Sequence, residues 1–361
     1  MSVIGSRRIL LGTAALTLAL SALVLTESAY AAKPVGSGKG ANTEQEGGGG
    51  KSGIYAAARI QYSGSVAKDG GTGNLTSTDV NWTPPPCWYA PYLGAKDFKK
   101  EMSKHIDSQL KAPGMGGTAG SAIGETQRHY EDGYGWSGSP GYKDYNVEND
   151  GKGMFWAGVE NPDEPDYLKR SSCTDLPFWV ENGEAPPPRY EEAISPEILA
   201  ALAYQHMQLP DTKVTLAPEA NTKVNLPTWA WLDKAVFDEV QATAALNVPG
   251  FNIQATTTAR PVSLKLEPGT EDAVTYPASG ECVINTDKSI GEPYAKGKAD
   301  ETPPCGIKYL RSSGDGTYKL QATITWEIDW TGTGGAGGDL PNGTFGNEQA
   351  VTVQEIQAVN R

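Results

Sequence analysis

The segment 318–330, YKLQATITWEIDW, alternates strictly between apolar and polar side chains. A period of two is typical of a strand with one buried and one solvated face. At about 3.4 Å per residue this strand would span about 40 Å, which is long for a single strand. The buried face is predicted to have four core residues, which are Leu320, Ile324, Trp326 and Ile328. The C-terminal part is therefore predicted to be a β-sandwich.

Other short strands are predicted around this segment, separated by turns rich in Gly, Pro and Asp. Between residues 241 and 361 they favour an immunoglobulin-like sandwich and a mostly β fold. The motif Leu340-Pro341-Asn342-Gly343-Thr344 is interpreted as a turn between the last two strands. The predicted strands cover residues 241–247, 251–259, 262–266, 318–330 and 350–357.

Residues 190–240 are predicted to form one short helix followed by short strands. Ser195 is suited to cap the helix, Pro196 fits its first position, and Leu209-Pro210 would end it. The His206 side chain is expected on its partly buried face. The following stretch, TKVTLAPEANTKVNLPTWAWLD, alternates weakly and predicts a hairpin or a pair of short strands.

Residues 81–189 are rich in Trp, Tyr and Gly and show poor periodicity, so an irregular region is expected. Only the stretch 97–110 favours a helix there, because its apolar residues recur four apart. The tryptophans of this region are interpreted as core residues. The alternative is a platform on which sugars stack.

The N-terminal residues predict export. Arg7 and Arg8 precede an apolar run that ends before Ala29-Tyr30-Ala31, which is typical of a signal peptide over residues 1–31. The ordinary secretory route is favoured, with twin-arginine export and an uncleaved anchor as alternatives. Residues 32–80 are Gly- and Ser-rich and are predicted to be a flexible linker without a transmembrane segment, in which the stretch 54–62 suggests one short strand.

Charge and cysteine content limit the possible partners and the compartment. The formal net charge is −13, so binding to nucleic acid is not expected. The four cysteines lack C-x-x-C spacing, which argues against a zinc or redox site. In an exported chain they favour disulfides, and the pairing Cys87–Cys173 with Cys282–Cys305 keeps each bridge within one region. The second bridge would contribute roughly 3 kcal/mol of stability.

No motif indicates a catalytic, cofactor or metal site. Gly50-Lys51-Ser52 lacks the earlier glycine of a phosphate-binding loop, and the three histidines are widely spaced. The acidic stretches 148–150 and 163–166 lack the ligand spacing of a calcium loop. A carboxylate pair for glycoside hydrolysis cannot be singled out among the acidic residues.

Five motifs stand out from Pro84 to the C-terminus, which are Cys87-Trp88-Tyr89, PEILAALAY at 196–204, LPDTKVTLAP at 209–218, VNLPTWAWLD at 224–233 and CGIKY at 305–309. By these motifs the sequence from Pro84 onward resembles a family of secreted proteins common in actinobacteria. The resemblance covers about three-quarters of the chain and implies a PKD-like β-domain at its C-terminus. One departure is Leu264-Lys265-Leu266-Glu267-Pro268-Gly269-Thr270, where the family has a W-x-x-G-D-G turn.

The family has no established activity, so the resemblance implies a fold and a compartment. The expected function is that of a secreted, non-catalytic module that contacts a protein or an envelope polymer through its PKD-like sandwich. One alternative is a module that binds cell-wall or other polysaccharide through the Trp-rich region. A second alternative is a secreted hydrolase with an unrecognised carboxylate pair.

Overall fold

The computed structural model describes residues 59–65, 74–112, 117–135, 138–210, 213–219, 221–232 and 239–356. Over these residues the fold is mostly β with several antiparallel sheets, which confirms the predicted class. No helix in these ranges is long and apolar enough to cross a membrane. The predicted signal peptide and most of the predicted linker lie outside the described residues.

The largest sheet has eight strands. The order of six of them is β1 (Gln61–Gly64), β9 (Val240–Val248), β10 (Phe251–Glu267), β15 (Tyr318–Gly332), β16 (Gly337–Gln354) and β2 (Thr76–Ser77). The other two are short additions: β12 (Glu281–Val283) pairs with β10, and β7 (Asn221–Lys223) pairs in parallel with β16.

Strand β15 has the predicted two faces. Leu320, Ile324, Trp326 and Ile328 are all buried, at most 1% exposed, whereas Lys319 and Glu327 point to solvent. The alternation predicted this because one face of the strand lies against the hydrophobic core. The register of β15 along its whole length is fixed by its antiparallel pairings with β10 and β16.

The two strands predicted at 251–259 and 262–266 are one continuous strand, β10. The register against β15 shifts between Pro261 and Ser263, so Val262 is an extra residue on β10. Its carbonyl accepts a hydrogen bond from Ile284 N at 3.2 Å. A bulge of this kind tolerates a proline and lets a strand bend without ending.

The prediction that the 340–344 motif is a turn is wrong, because this motif lies inside β16. Glu327 of β15 faces both Pro341 and Asn342, so a bulge accommodates the proline here as well. The Asn342 carbonyl accepts hydrogen bonds from Thr78 N at 2.8 Å and Thr78 Oγ1 at 2.9 Å. The connection between β15 and β16 is instead the short turn Thr333–Gly335.

A five-stranded sheet packs against the large one. Its order is β11 (Ala273–Tyr276), β14 (Gly306–Tyr309), β8 (Pro227–Leu232) and β13 (Ile290–Gly291), and β6 (Thr215–Ala217) pairs with β8. The hairpin alternative for 212–233 is therefore wrong, because β6 and β7 join different sheets. Both sheets contribute to one core, in which the rings of Tyr309 and Tyr318 stack at 5.2 Å.

Both sheets also contain strands that precede the predicted domain boundary at residue 241. Strands β6, β7 and β8 come from the segment expected to precede the sandwich. Strands β1 and β2 lie within the predicted linker 32–80, so residues 61–64 and 76–77 are structural and not a tether. The short strand suggested at 54–62 overlaps β1 at residues 61 and 62, and its earlier part lies outside the described residues except for 59 and 60. Strand β2 was missed because it is only two residues long in a Gly- and Ser-rich stretch.

The region 81–189 is more regular than predicted. A three-stranded sheet of β3 (Cys87–Leu93), β4 (Gly153–Glu160) and β5 (Phe178–Glu181) is joined by helices α1 (Ala95–Leu110), α2 (Thr118–Glu131) and α3 (Tyr167–Arg170). Most residues of β3 and β4 are buried on both faces, which removes the alternation that reveals a strand. A second core with Phe98, Tyr130 and Phe155 at its centre lies between this sheet and the helices.

Helix α4 (Pro196–His206) covers one end of the large sheet. Ser195 caps it, since its Oγ accepts a hydrogen bond from Ile198 N at 3.2 Å, as predicted. Thr257 Oγ1 of β10 donates a hydrogen bond of 2.8 Å to the Ala200 carbonyl of the helix. The helix ends before Leu209-Pro210, because Met207 is extended and fully buried.

Candidate functional site

A shallow cleft opens where the three-stranded sheet meets the turn between β9 and β10. It is a shallow depression with room for about one water molecule. Trp156, Val180 and Pro91 are buried at its floor, and Met154 and Phe251 are its half-buried walls. Exposed residues complete its edge, which are Glu181, Asn182, Pro249 and Gly250. We refer to this group of residues as the cleft.

The β9–β10 turn is held against the three-stranded sheet by close contacts. Gly250 has φ +81°, which favours glycine, and an added Cβ would come within 2.3 Å of Asn182 Oδ1. Asn182 is itself fixed, because its Nδ2 donates a hydrogen bond of 3.0 Å to the Gly151 carbonyl. Below the turn, the rings of Trp156 and Phe251 meet edge to face at 4.9 Å. The cleft is therefore a packed junction with defined walls.

The polar side of the cleft is acidic. Glu181 lies at its edge, and Glu184 follows in the same turn, where its N–H donates to the Glu181 carbonyl at 3.1 Å. Both side chains are exposed, and neither forms an ion pair with another described residue. The nearby Lys152 directs its Nζ to Asn149 Oδ1 at 3.1 Å. The edge of the cleft therefore presents uncompensated negative charge.

Each predicted disulfide pair is bonded in the structure. Cys87 and Cys173 have S–S 1.99 Å and link the start of β3 to the segment before β5. Cys282 and Cys305 have S–S 2.00 Å and link β12 of the large sheet to the residue before β14 of the small sheet. The first bridge therefore braces the sheet that forms the cleft, and the second joins the two sheets.

The predicted core residues of β15 and the cleft lie in different parts of the molecule. Sequence reasoning missed the cleft because its residues come from four separate segments, near Pro91, Trp156, Glu181 and Phe251. No spacing along the chain connects them. The one available signal was the short turn Pro249-Gly250, which marks the end of a hairpin but not what it packs against.

The tryptophans do not form an exposed stacking platform in the described residues. Trp88, Trp156 and Trp229 are each at most 5% exposed, and Trp326 is fully buried. Phe178 stacks on Tyr190 at 3.4 Å, again inside the core. Within region 81–189, Trp88 and Trp156 therefore have the predicted core role, and Trp82 and Trp179 are half-buried against the two cores. Trp136 lies outside the described residues.

A second polar group, the His206 cluster, consists of Tyr62, Asp163 and His206. His206 Nε2 lies 3.4 Å from Asp163 Oδ2, and its ring lies 4.1 Å from the ring of Tyr62. Burial lowers the pKa of His206, while the charge of Asp163 acts in the opposite direction. Burial and the charge of Asp163 both raise the pKa of Tyr62. His206 is half-buried at the end of α4, as predicted.

We expect the His206 cluster to make the protein less stable in mild acid. The unfolded chain takes up a proton near pH 6.5, whereas the folded protein does so at lower pH. The free energy of unfolding therefore falls as the pH drops through this window. Because burial also lowers the pKa of His105 and His129, these residues act in the same direction.

Urea unfolding of the wild type and His206→Gln between pH 7.5 and 5 checks this. The variant should show a shallower loss of stability with falling pH. His105→Gln is the comparison variant: it should lose the contribution of His105 and keep that of His206, so the slopes of the two variants separate the two contributions. An identical pH slope in wild type and His206→Gln would contradict the assigned direction.

The acidic stretches have local structural contacts. Lys96 contacts Asp150 through its N–H at 3.2 Å and its Nζ at 3.0 Å. Partial burial raises the pKa of Asp150, but these bonds outweigh it and keep the pKa below its usual value. Asp166 caps α3 by accepting a bond from Leu168 N at 2.9 Å. Among the described residues, no three His, Cys, Asp or Glu side chains are arranged to hold a metal ion.

Comparisons of the chain with protein-family models, with curated proteins and with solved structures each gave no match. The resemblance to the secreted family, including its PKD-like β-domain, therefore stays a prediction. What the molecule binds has to be inferred from its own surface, and the cleft is the concave feature to consider.

Proposed function

We propose that this chain is an exported, non-catalytic interaction module that binds a protein or an envelope polymer through the cleft. Export is supported by the predicted signal peptide and by the two disulfides, which form in oxidising compartments. The resemblance to secreted proteins supports the same compartment. The PKD-like identity of the β-domain belongs to this proposal.

The observation that carries the proposal is the form of the cleft. The cleft is a shallow depression with room for about one water molecule, far less than the roughly 300–1,000 Å³ typical of small-molecule sites. Its floor and walls are apolar, and it is open to solvent. A shallow apolar surface of this kind suits the face of a larger partner, which can lie across it and on the surrounding surface.

The two alternatives fit the cleft less well. The carboxylates of a glycoside hydrolase face each other across the bond that is cleaved. Glu181 and Glu184 instead lie in one turn on one side of the cleft. A polysaccharide platform needs exposed ring faces, whereas Trp156 is 2% exposed and meets Phe251 edge to face.

Crosslinking and pull-down from the native cell envelope test the proposal. We expect Met154→Asp to reduce capture of the partner at least about tenfold, because an apolar contact worth about 1.4 kcal/mol is replaced by a charge that would be buried. Leu310→Asp is the control, since Leu310 is an exposed apolar residue directly after β14 of the small sheet. Thermal melts of both variants establish that they are folded.

Equal capture by wild type and a folded Met154→Asp would show that the cleft is not the binding site. If the captured material is degraded by glycan-cleaving enzymes and not by protease, the polysaccharide alternative is favoured. A protein recovered by the wild type and by Leu310→Asp, and lost with Met154→Asp, is the expected result.

A further inference from the structure

We propose that Asn182 is a modification site, at which the folded protein loses ammonia and gains a carboxylate. The reaction is deamidation through a cyclic imide, and it consumes water but needs no enzyme or cofactor. Because the site is defined by the chemistry of the chain itself, it does not depend on what the cleft binds. The chain contains the pairs Asn182-Gly183 and Asn342-Gly343, and the fold gives them different surroundings.

The reaction uses the backbone nitrogen that follows the asparagine. The nitrogen of Gly183 loses its proton and attacks Asn182 Cγ, so that a C–N bond forms, the Cγ–Nδ2 bond breaks and ammonia leaves. Water then opens the five-membered ring. Attack of water at Cγ gives aspartate, and attack at the main-chain carbonyl carbon gives isoaspartate, in which Cβ and Cγ belong to the main chain. A following glycine favours ring closure, because it has no side chain and the widest conformational freedom.

The Asn182-Gly183 pair has the freedom that ring closure needs. Both residues are exposed in the turn after β5, and Gly183 has φ +85°. An added Cβ at Gly183 would meet no atom within 4 Å, so the chain has room to move on that side. The bond that closes the turn joins Glu184 N to the Glu181 carbonyl, and no described residue accepts a bond from Gly183 N. The attacking nitrogen is therefore accessible.

The Asn342-Gly343 pair has the same sequence but lies inside β16. Asn342 is exposed, whereas Gly343 is buried. Gly343 lies opposite Trp326 of β15 and Ser77 of β2. The Asn342 carbonyl is also fixed, because it accepts two hydrogen bonds from Thr78. Ring closure there requires the strand to separate from its neighbours first, which costs free energy. The fold therefore protects Asn342 and leaves Asn182 reactive.

A carboxylate at position 182 disturbs the docking of the β9–β10 turn. Asn182 Nδ2 donates a hydrogen bond of 3.0 Å to the Gly151 carbonyl, whereas an ionised carboxylate at this position has no proton to donate. The Asn182 side chain also lies against Gly250 of the turn. The new negative charge is adjacent to those of Glu181 and Glu184, and like charges repel. We expect the turn to be held less firmly after the reaction.

Peptide mapping of the full mature chain after incubation at pH 8 and 37 °C tests the site. Asn182 should lose its amide at least about tenfold faster than Asn342, a ratio that a local opening of about 1.4 kcal/mol at Asn342 already produces. In concentrated urea the two rates should become similar, because neither pair is then held by the fold. Equal rates in the folded protein, or an Asn182 amide that is lost only in urea, would overturn the assignment.

The variant Asn182→Asp tests the consequence for the turn. Hydrogen exchange followed by mass spectrometry should show the amides of Gly250 and Phe251 exchanging at least about fivefold faster than in wild type, because the turn opens locally more often. Asn342→Asp is the matched control, since it adds the same charge at another exposed asparagine and should leave the turn unchanged. Thermal melts establish that both variants are folded. Equal exchange in wild type and Asn182→Asp would show that the carboxylate does not loosen the turn.

Discussion

Replacing Trp326 with Ala is expected to lower the free energy of unfolding by about 3–5 kcal/mol. Trp326 is fully buried in the centre of β15, and its direct neighbours on the adjacent strands are Pro261 and Gly343. These neighbours are too small to close the space that the indole would leave. The free-energy cost of the lost burial and that of the remaining cavity therefore add. Urea unfolding measures the total cost.

Thr325→Ala is the matched control on the other face of the same strand. Thr325 is half-buried, and its cross-strand neighbours are Ser263 and Thr344. Its substitution should cost less than about 1.5 kcal/mol. A shift of the strand by one residue would exchange the two faces and the two results. If Thr325→Ala were the more damaging change, the register of β15 and the core built on it would be wrong.

Removal of the Cys87–Cys173 bridge is expected to cost about 4.6 kcal/mol. This bond spans 86 residues, and the chain-entropy model relates the loss to the length of the loop that the bond closes. The same model gives about 3.4 kcal/mol for the Cys282–Cys305 bridge, which spans 23 residues. Paired Cys→Ala variants measured in urea provide both values under identical conditions.

The informative result is which of the two disulfide variants loses more stability. A larger loss for the Cys282–Cys305 variant would mean that joining the two sheets stabilises the native state directly, so that loop length is not the controlling quantity. Peptide mapping without reduction should first recover both linked pairs from exported protein. Free thiols at any of the four positions would contradict the pairing itself.

Local patterns predicted the parts of the fold in which one element has two different faces. Strand β15 alternates because one side lies on the core, and α4 is marked by Ser195 and Pro196 at its start. The pattern failed for β3 and β4, because both of their faces are covered and their residues are apolar throughout. Helix α2 was missed because its first half is rich in Gly, Ser and Thr, which have low helix propensity.

Bulges explain the errors within the long strands. Pro261 and Pro341 both indicated that a strand would end. Each instead lies at a bulge, where one strand has an extra residue opposite its neighbour. Whether a proline ends a strand or occupies a bulge depends on the pairing partner, which is distant in sequence. The cleft could not be predicted for the same reason, since its walls meet only after the β9–β10 turn docks on β5.

Strand β2 pairs with β16 although the two strands are far apart in sequence. Thr344 Oγ1 donates a hydrogen bond to the Thr76 carbonyl over a separation of 268 residues. Such a contact forms late, because closing a long loop precedes any gain from the pairing. During synthesis or passage through a narrow channel, the N-terminal strands emerge long before β16. Until their partner strands are available, the N-terminal strands have unpaired edges that can pair with other chains. The large sheet can therefore be completed only after residues up to Gln354 have been made, so that β16 is available to pair.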